Sequence, residues 1–279
     1  MAKKNVRYHA LDELRGLVFI SMVLYHGMWD LVYMFGVDVP WYRSTVGYVW
    51  QQSICWTFIL LSGFCQCLGR KKYRHAGIVF GAGLLVTAVT CLVLPEDRVV
   101  FGVLTFLGTA SFVATVCSPL LSRCRPLPGF LISAFLFVLT RNVNSGFAGF
   151  EGWQFMKLPE GLYQNLGTAF FGFPPADFYS TDYFSFLPWI FLFLCGCFLG
   201  RFVLHSEPDG TLPGRQSGEH FMQKERIEYV SHGERVKQFL RKKRLPFLGF
   251  LGRHSLLFYL LHQPVLYVVL TFRMEVRGF

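Results

Sequence analysis

The sequence predicts an all-α fold, a polytopic bundle of about seven transmembrane helices with the N-terminus on the cytoplasmic side. Three observations carry that prediction. The composition is 53% hydrophobic and only 16% charged, where soluble domains carry about a quarter charged residues. Seven stretches approach the roughly 20 apolar residues that cross a hydrocarbon core. The basic residues gather in alternate gaps between those stretches, as the retention of Lys and Arg on the cytoplasmic side requires.

The first span, about 14 to 35, lacks the short apolar core and small-residue cleavage site of a secretory signal, so it is read as a retained helix. Spans near 47 to 68, 76 to 94 and 99 to 118 follow. The fifth, 127 to 141, contains "LPGFLISAFLFVLT" and is short; 184 to 204 and 251 to 272 complete the set. "GTAFFGF" at 167 to 173 is a candidate re-entrant segment. With the N-terminus inside, the cytoplasmic side takes Lys3, Lys4, Arg7 and Arg15, then "RKKYR" at 70 to 74, "RCR" at 123 to 125 and the basic residues from Arg201 to Arg253. Of the 27 Lys and Arg residues, only Arg43, Arg98, Arg141, Lys157, Arg273 and Arg277 fall on the other side. The net charge of +10 therefore reports topology and not a nucleic-acid partner. The eight cysteines sit mostly inside apolar runs without zinc or disulfide spacing, as small buried hydrophobes do.

Two excursions leave the membrane. The outer one, about 142 to 183, holds "NVNSGFAGFEGWQF" and much of "GFPPADFYSTDYFSFLPW", rich in Gly, Pro and aromatics as a packed lid would be. The inner one, about 205 to 250, opens on "EPDGTLPG" and ends in "RVKQFLRKKRLPF". Its basic end reads as an amphipathic helix on anionic lipid or as a docking surface for a polyanionic cofactor, and the two are compatible.

Ionisable side chains at membrane depth are costly unless they face a cavity or a partner. In "LRGLVFISMVLYHGMWD" Arg15 and His26 are eleven positions apart, which returns them to within about 20° on a helix and separates them by about 16 Å along one face. Asp30 and Tyr33 continue the stripe at four and seven residues beyond His26. Arg15 alone is uninformative, since it can snorkel or pair with Asp12. The last span, "FLGRHSLLFYLLHQPVLYVVL", presents Ser255, Tyr259 and His262 on one face, with Pro264 freeing the carbonyl of residue 260. Helix-to-helix polar contact explains Ser255 and Tyr259 as well as function does.

A neutral imidazole in a membrane cavity can serve as general base on a hydroxyl or amine, or as a nucleophile that accepts an acyl group. Asp30 is placed to hold its tautomer. A guanidinium at the cytoplasmic end can bind phosphate or pyrophosphate.

"RYHALDELRGLVFISMVLYHGMWDL" resembles the opening of bacterial members of the heparan-alpha-glucosaminide N-acetyltransferase catalytic-domain family. Its Arg, ten residues, His arrangement is also similar to the first helix of membrane acyltransferases that O-acetylate surface polysaccharides. "STDYFSFLPW" at 180 to 189 and "LGRHSLLFYLLHQPV" at 251 to 265 resemble two further blocks of the first family. The resemblance implies a single membrane acyltransferase domain over 1 to 279, in the plasma or inner membrane. It implies acetyl-CoA as acyl donor from the cytoplasm and a sugar or polyol acceptor; the cysteine spacing and the placement of the basic residues add the expectation of no metal and no nucleic acid.

Residue by residue, it matches Arg15 to a donor-end residue and His26 to the implicated histidine, as base or acyl carrier; to these the residues themselves add Asp30 to orient His26, and Asp12 and part of the inner basic loop at the donor end. Trp29, Tyr33, Ser255, Tyr259 and His262 would line the channel, and Asp182 with Tyr183 would close its outer mouth. One departure stands: resemblance to the family's lysosomal enzyme implies a histidine just beyond the first core helix, and the segment from Gly36 to Gly47 contains none. Either His26 takes that role, or the fold is kept without the activity. A proton-coupled transporter, in which His and Asp form a relay, and a non-catalytic membrane assembly subunit are the rivals from other classes.

Overall fold

The computed structural model of the chain describes residues 7–204 and 234–277, and its structure is mostly helical. In chain order, α1 (His9–Trp29) continues into a π-helical turn (Asp30–Met34), and α2 (Thr45–Gln66), α3 (Lys72–Val93), α4 (Val103–Val116), α5 (Ser118–Arg123) and α6 (Pro126–Thr140) follow. Two strands, β1 (Phe147–Phe150) and β2 (Trp153–Lys157), and the short α7 (Leu166–Phe171) precede α8 (Phe186–Leu204). Residues 234–241 are helical (α9), and α10 (Pro246–Arg253) and α11 (Ser255–Arg277) end the chain. Lys3, Lys4 and the Pro/Gly-rich turn at 207 to 214 lie outside the described residues.

A helix occupies each of the seven expected spans. By length and composition, five of the described helices can cross a membrane: His9–Met34, Lys72–Val93, Pro126–Ser145, Phe186–Leu204 and Ser255–Arg273. The α4 helix is apolar but shorter, and α2 is long enough but carries Gln51 and Gln52 in its first half. The segment expected as an outer excursion contains a β-hairpin, so the described residues are helical with one small antiparallel sheet. Glu151 and Gly152 make its turn, Glu151 at φ 50°, and the register shifts between Ala148 and Gly149. Gly149 sits at φ 143°, and a Cβ there would meet the Trp153 carbonyl, so the bulge requires glycine.

The described chain forms two compact units, Met1–Cys55 with Arg201–Phe279, and Trp56–Gly200. In the second, small residues let helices touch backbone to backbone, the usual device of membrane packing. A Cβ on Gly63 of α2 would lie 2.0 Å from the Phe193 carbonyl oxygen of α8, and one on Gly196 would lie 2.1 Å from that of Leu60. Gly196 and Gly200 are spaced four apart on α8, so both face α2. The block at 180 to 185 is stitched to the segment before α4. Ser180 Oγ accepts from the Val100 N–H at 2.9 Å, and Thr181 donates to the Asp97 carbonyl at 3.0 Å. Asp182 Oδ2 accepts from the Val103 N–H at 3.1 Å, placing a carboxylate on the first turn of α4, where the helix dipole favours it.

The first unit is organised by α1. Gly16 meets the Leu248 carbonyl of α10, where a Cβ would come within 2.1 Å, and Gly252 meets the Asp12 carbonyl, where one would come within 1.8 Å. Buried Glu13 accepts from the N–H groups of Arg244 and Leu245 at 2.8 and 2.9 Å, just ahead of Pro246 at the start of α10. Phe19 packs against Phe258 of α11, ring centroids 5.9 Å apart. The helix bearing the first polar stripe is thereby held to the helix bearing the second.

Candidate functional site

The site is built where α1 ends and α11 passes beside it. His26 sits on the last turn of α1, and His262 lies two turns into α11. Their rings meet edge to face, with centroids 5.0 Å apart and planes at 75°. Phe19, two turns below His26, is also edge-on to His262 at 6.4 Å, so the histidine pair has an aromatic floor. Tyr259 closes the other side, 5.3 Å from the His262 ring.

The protonation pattern of His262 follows from its partners. Its Nδ1 is hydrogen-bonded to the Tyr259 carbonyl on its own helix. A carbonyl only accepts, so Nδ1 carries the hydrogen and the ring's lone pair is on Nε2. That Nε2 is buried and has no hydrogen-bond partner among the described residues. His26 is half-buried, and no hydrogen bond to its ring occurs among the described residues.

Asp30 begins the π-helical turn and is fully buried. The expected bond from Asp30 to His26 is not among those seen. Asp30 Oδ1 instead accepts from Gln263 Nε2 at 2.6 Å, a charge-assisted contact between α1 and α11. Because the amide nitrogen is committed to the carboxylate, Gln263 turns its oxygen the other way, and Oε1 is buried with no partner among the described residues. Two neighbouring residues of α11 thus each offer one enclosed acceptor atom, the His262 lone pair and the Gln263 carbonyl. Such atoms cost free energy unless a donor meets them, and a ligand rich in hydroxyl or N–H groups supplies donors.

The π turn also changes the stripe. His26 and Asp30 face inward as the 3.6-residue period requires, but Tyr33 is 55% exposed. The wider i→i+5 turn uses more residues per revolution, which takes Tyr33 off the shared face. It joins an aromatic group instead. Its ring lies 5.4 Å from Trp29 and 6.4 Å from Tyr42, with the Arg43 guanidinium 5.7 Å above it. Buried Tyr42 donates to the Tyr25 carbonyl at 3.2 Å, and burial raises its phenol above the ordinary range.

The remaining expected residues fall elsewhere. Arg15 Nη1 lies 3.5 Å from Asp12 Oδ1 and 3.5 Å from the Gly252 carbonyl, both long contacts, and Asp12 also takes the Arg7 Nε at 3.0 Å. Ser255 starts α11, seven residues before His262. Asp182 and Tyr183 belong to the Trp56–Gly200 unit and bind backbone there; Tyr183 donates to the Ala169 carbonyl, and burial pushes its phenol up to about 12. No group of three or more His, Cys, Asp or Glu side chains placed to hold a metal ion occurs among the described residues. Sequence reasoning missed Gln263 and Glu13. The only signal for Gln263 was its place in "LHQPV", between His262 and the helix-interrupting Pro264.

Among known proteins, the model of a family described as "Heparan-alpha-glucosaminide N-acetyltransferase, catalytic" matches residues 7–226. No curated protein and no solved structure matches the chain.

Proposed function

Since the chain belongs to the heparan-alpha-glucosaminide N-acetyltransferase catalytic family, we propose that it moves an acetyl or other short acyl group from acyl-CoA to a sugar or polyol acceptor. The family and the apolar helices make it a multi-pass membrane protein of the acetyltransferase type. The proposal adds the donor, the acceptor class, the residues and a cytoplasmic N-terminus in the plasma or inner membrane.

The observation that carries the reading is the histidine pair. His26 takes the proton from an acceptor hydroxyl or amine. The oxygen or nitrogen so freed bonds to the thioester carbonyl carbon, the carbon–sulfur bond breaks, and the sulfur leaves with the electron pair and receives the proton from the imidazolium. His262, its tautomer set by the Tyr259 carbonyl, stands edge-on to His26 and keeps that ring in place. The His262 Nε2 and Gln263 Oε1 acceptors suit an acceptor molecule that carries several hydroxyl or N–H donors. Asp30 acts through Gln263, whose amide it orients. Arg15 and Asp12 mark the donor end, about 16 Å along α1 from His26.

The test is release of free CoA thiol from acetyl-CoA by the purified protein with membrane glycan extract as the source of acceptor. Loss of a general base is expected to lower turnover of His26→Ala by about 10²–10⁴-fold, with the melting temperature unchanged. Wild-type turnover by His26→Ala overturns the assignment.

A further inference from the structure

The basic run ahead of α10 takes no part in the histidine site. Between residues 234 and 244 the chain carries six cations and the single acid Glu234, and residues 241–247 are all exposed. Large apolar side chains alternate with the charges. Phe239 is 55% exposed, Phe247 67% and Phe250 46%.

The backbone of this run is fixed in place. Glu13 holds the N–H groups of Arg244 and Leu245, and the Arg244 guanidinium lies over the Phe239 ring at 3.6 Å from its centroid. The α10 helix turns Gly249 and Gly252, both buried, towards α1, which leaves Phe247 and Phe250 on its other side. It meets α1 at Gly16, two turns from that helix's start, so the run lies level with one end of a membrane-spanning helix and not out in solution.

We propose that this segment is a binding site for the headgroups of anionic phospholipids, with Arg241, Lys242, Lys243 and Arg244 at the phosphates and Phe247 and Phe250 in the acyl boundary. Cations interleaved with exposed aromatics fit a surface that offers phosphate and hydrocarbon together. A soluble phosphate or pyrophosphate group offers only the first. The proposal does not rest on the acyl-transfer reading.

The full-length protein in nanodiscs of phosphatidylcholine, or of an equal mixture with phosphatidylglycerol, is treated with a water-soluble amine-acetylating reagent, and each lysine is read by peptide mass spectrometry. Lys242 and Lys243 are expected to react about tenfold more slowly in the anionic discs, and high salt removes the difference. Lys157, on β2, reacts alike in both. A Phe247→Ser, Phe250→Ser variant restores fast labelling in anionic discs at low salt. Should that variant fail to fold, the salt reversal in the wild-type chain decides. Equal labelling of Lys242 and Lys243 in the two discs overturns the proposal, as does protection by added acetyl-CoA in phosphatidylcholine discs with none from phosphatidylglycerol.

Discussion

Replacing Gln263 by Leu removes a donor to Asp30 Oδ1 while keeping a side chain of similar reach. The bond is 2.6 Å long and its acceptor is fully buried, so water cannot replace the lost N–H without opening the contact between α1 and α11. A hydrogen bond to a charged group contributes about 1.5–3 kcal/mol net, which for a chain of this size lowers the melting temperature by about 3–12 °C. The eight free cysteines, of which Cys195 and Cys197 are buried, allow a thiol-reactive dye to follow unfolding in detergent. Gln263→Glu sharpens the test. Two carboxylates this close cannot both ionise, so this variant is expected to be least stable above neutral pH and to recover as the pH falls towards about 5. CoA release should fall with both variants, because each removes the amide that Asp30 orients. A Gln263→Leu protein with wild-type melting and turnover refutes the bridge, and a Gln263→Glu protein with no pH dependence refutes the proximity of the two groups.

Three further outcomes are expected. Arg15→Ala should weaken acetyl-CoA binding, read by equilibrium binding to the purified protein, by about tenfold; unchanged affinity removes Arg15 from the donor end and favours the transporter or assembly readings. Gly252→Val should destabilise the seat of α10 by at least about 2 kcal/mol, since even a Cβ there falls 1.8 Å from the Asp12 carbonyl oxygen; wild-type melting contradicts the packing. Burial holds the Tyr183 phenol at about 12, against a reference value of 10.0 in the unfolded chain. Its folded-state value is the higher one, so its stabilisation is complete below pH 10 and lost as the pH rises through 12, and Tyr183→Phe should flatten that part of the stability profile.

Much of the fold was legible because membrane helices announce themselves by length and apolarity. Each expected span holds a helix, and the Arg15 to His26 spacing survives because one uninterrupted helix carries both. Tyr33 is exposed in an aromatic group, because a π turn follows Trp29 and α-helical arithmetic no longer applies there. The hairpin at 147 to 157 was hidden among glycines and aromatics that also suit an irregular lid. Gln263 was missed for a different reason. Ionisable groups stand out in an apolar helix because they are costly there, whereas a neutral amide becomes conspicuous only when a buried carboxylate from another helix is found against it. Periodicity says which residues share a face; it does not say which face of another helix they meet.

Glu13 shows why the polar residues of α1 cannot be assigned one at a time. Its carboxylate lies just ahead of the first turn of α10, where the N–H groups point, and Arg15 reaches the Gly252 carbonyl near the last turn. Each charge has the sign that the helix dipole favours at that end. The α10 helix leads through His254 directly into α11, so its seat on α1 sets where α11 begins and hence where His262 stands beside His26. Arg15 therefore has a structural duty as well as the proposed one at the donor end, and an affinity measurement on Arg15→Ala alone confounds them. Glu13→Gln separates the two. It keeps an acceptor for the Arg244 and Leu245 N–H groups but removes the charge, so it should cost about 1 kcal/mol of stability without touching donor affinity. If Glu13→Gln weakens acetyl-CoA binding as much as Arg15→Ala does, the loss runs through the placement of α10, and the guanidinium is no donor ligand.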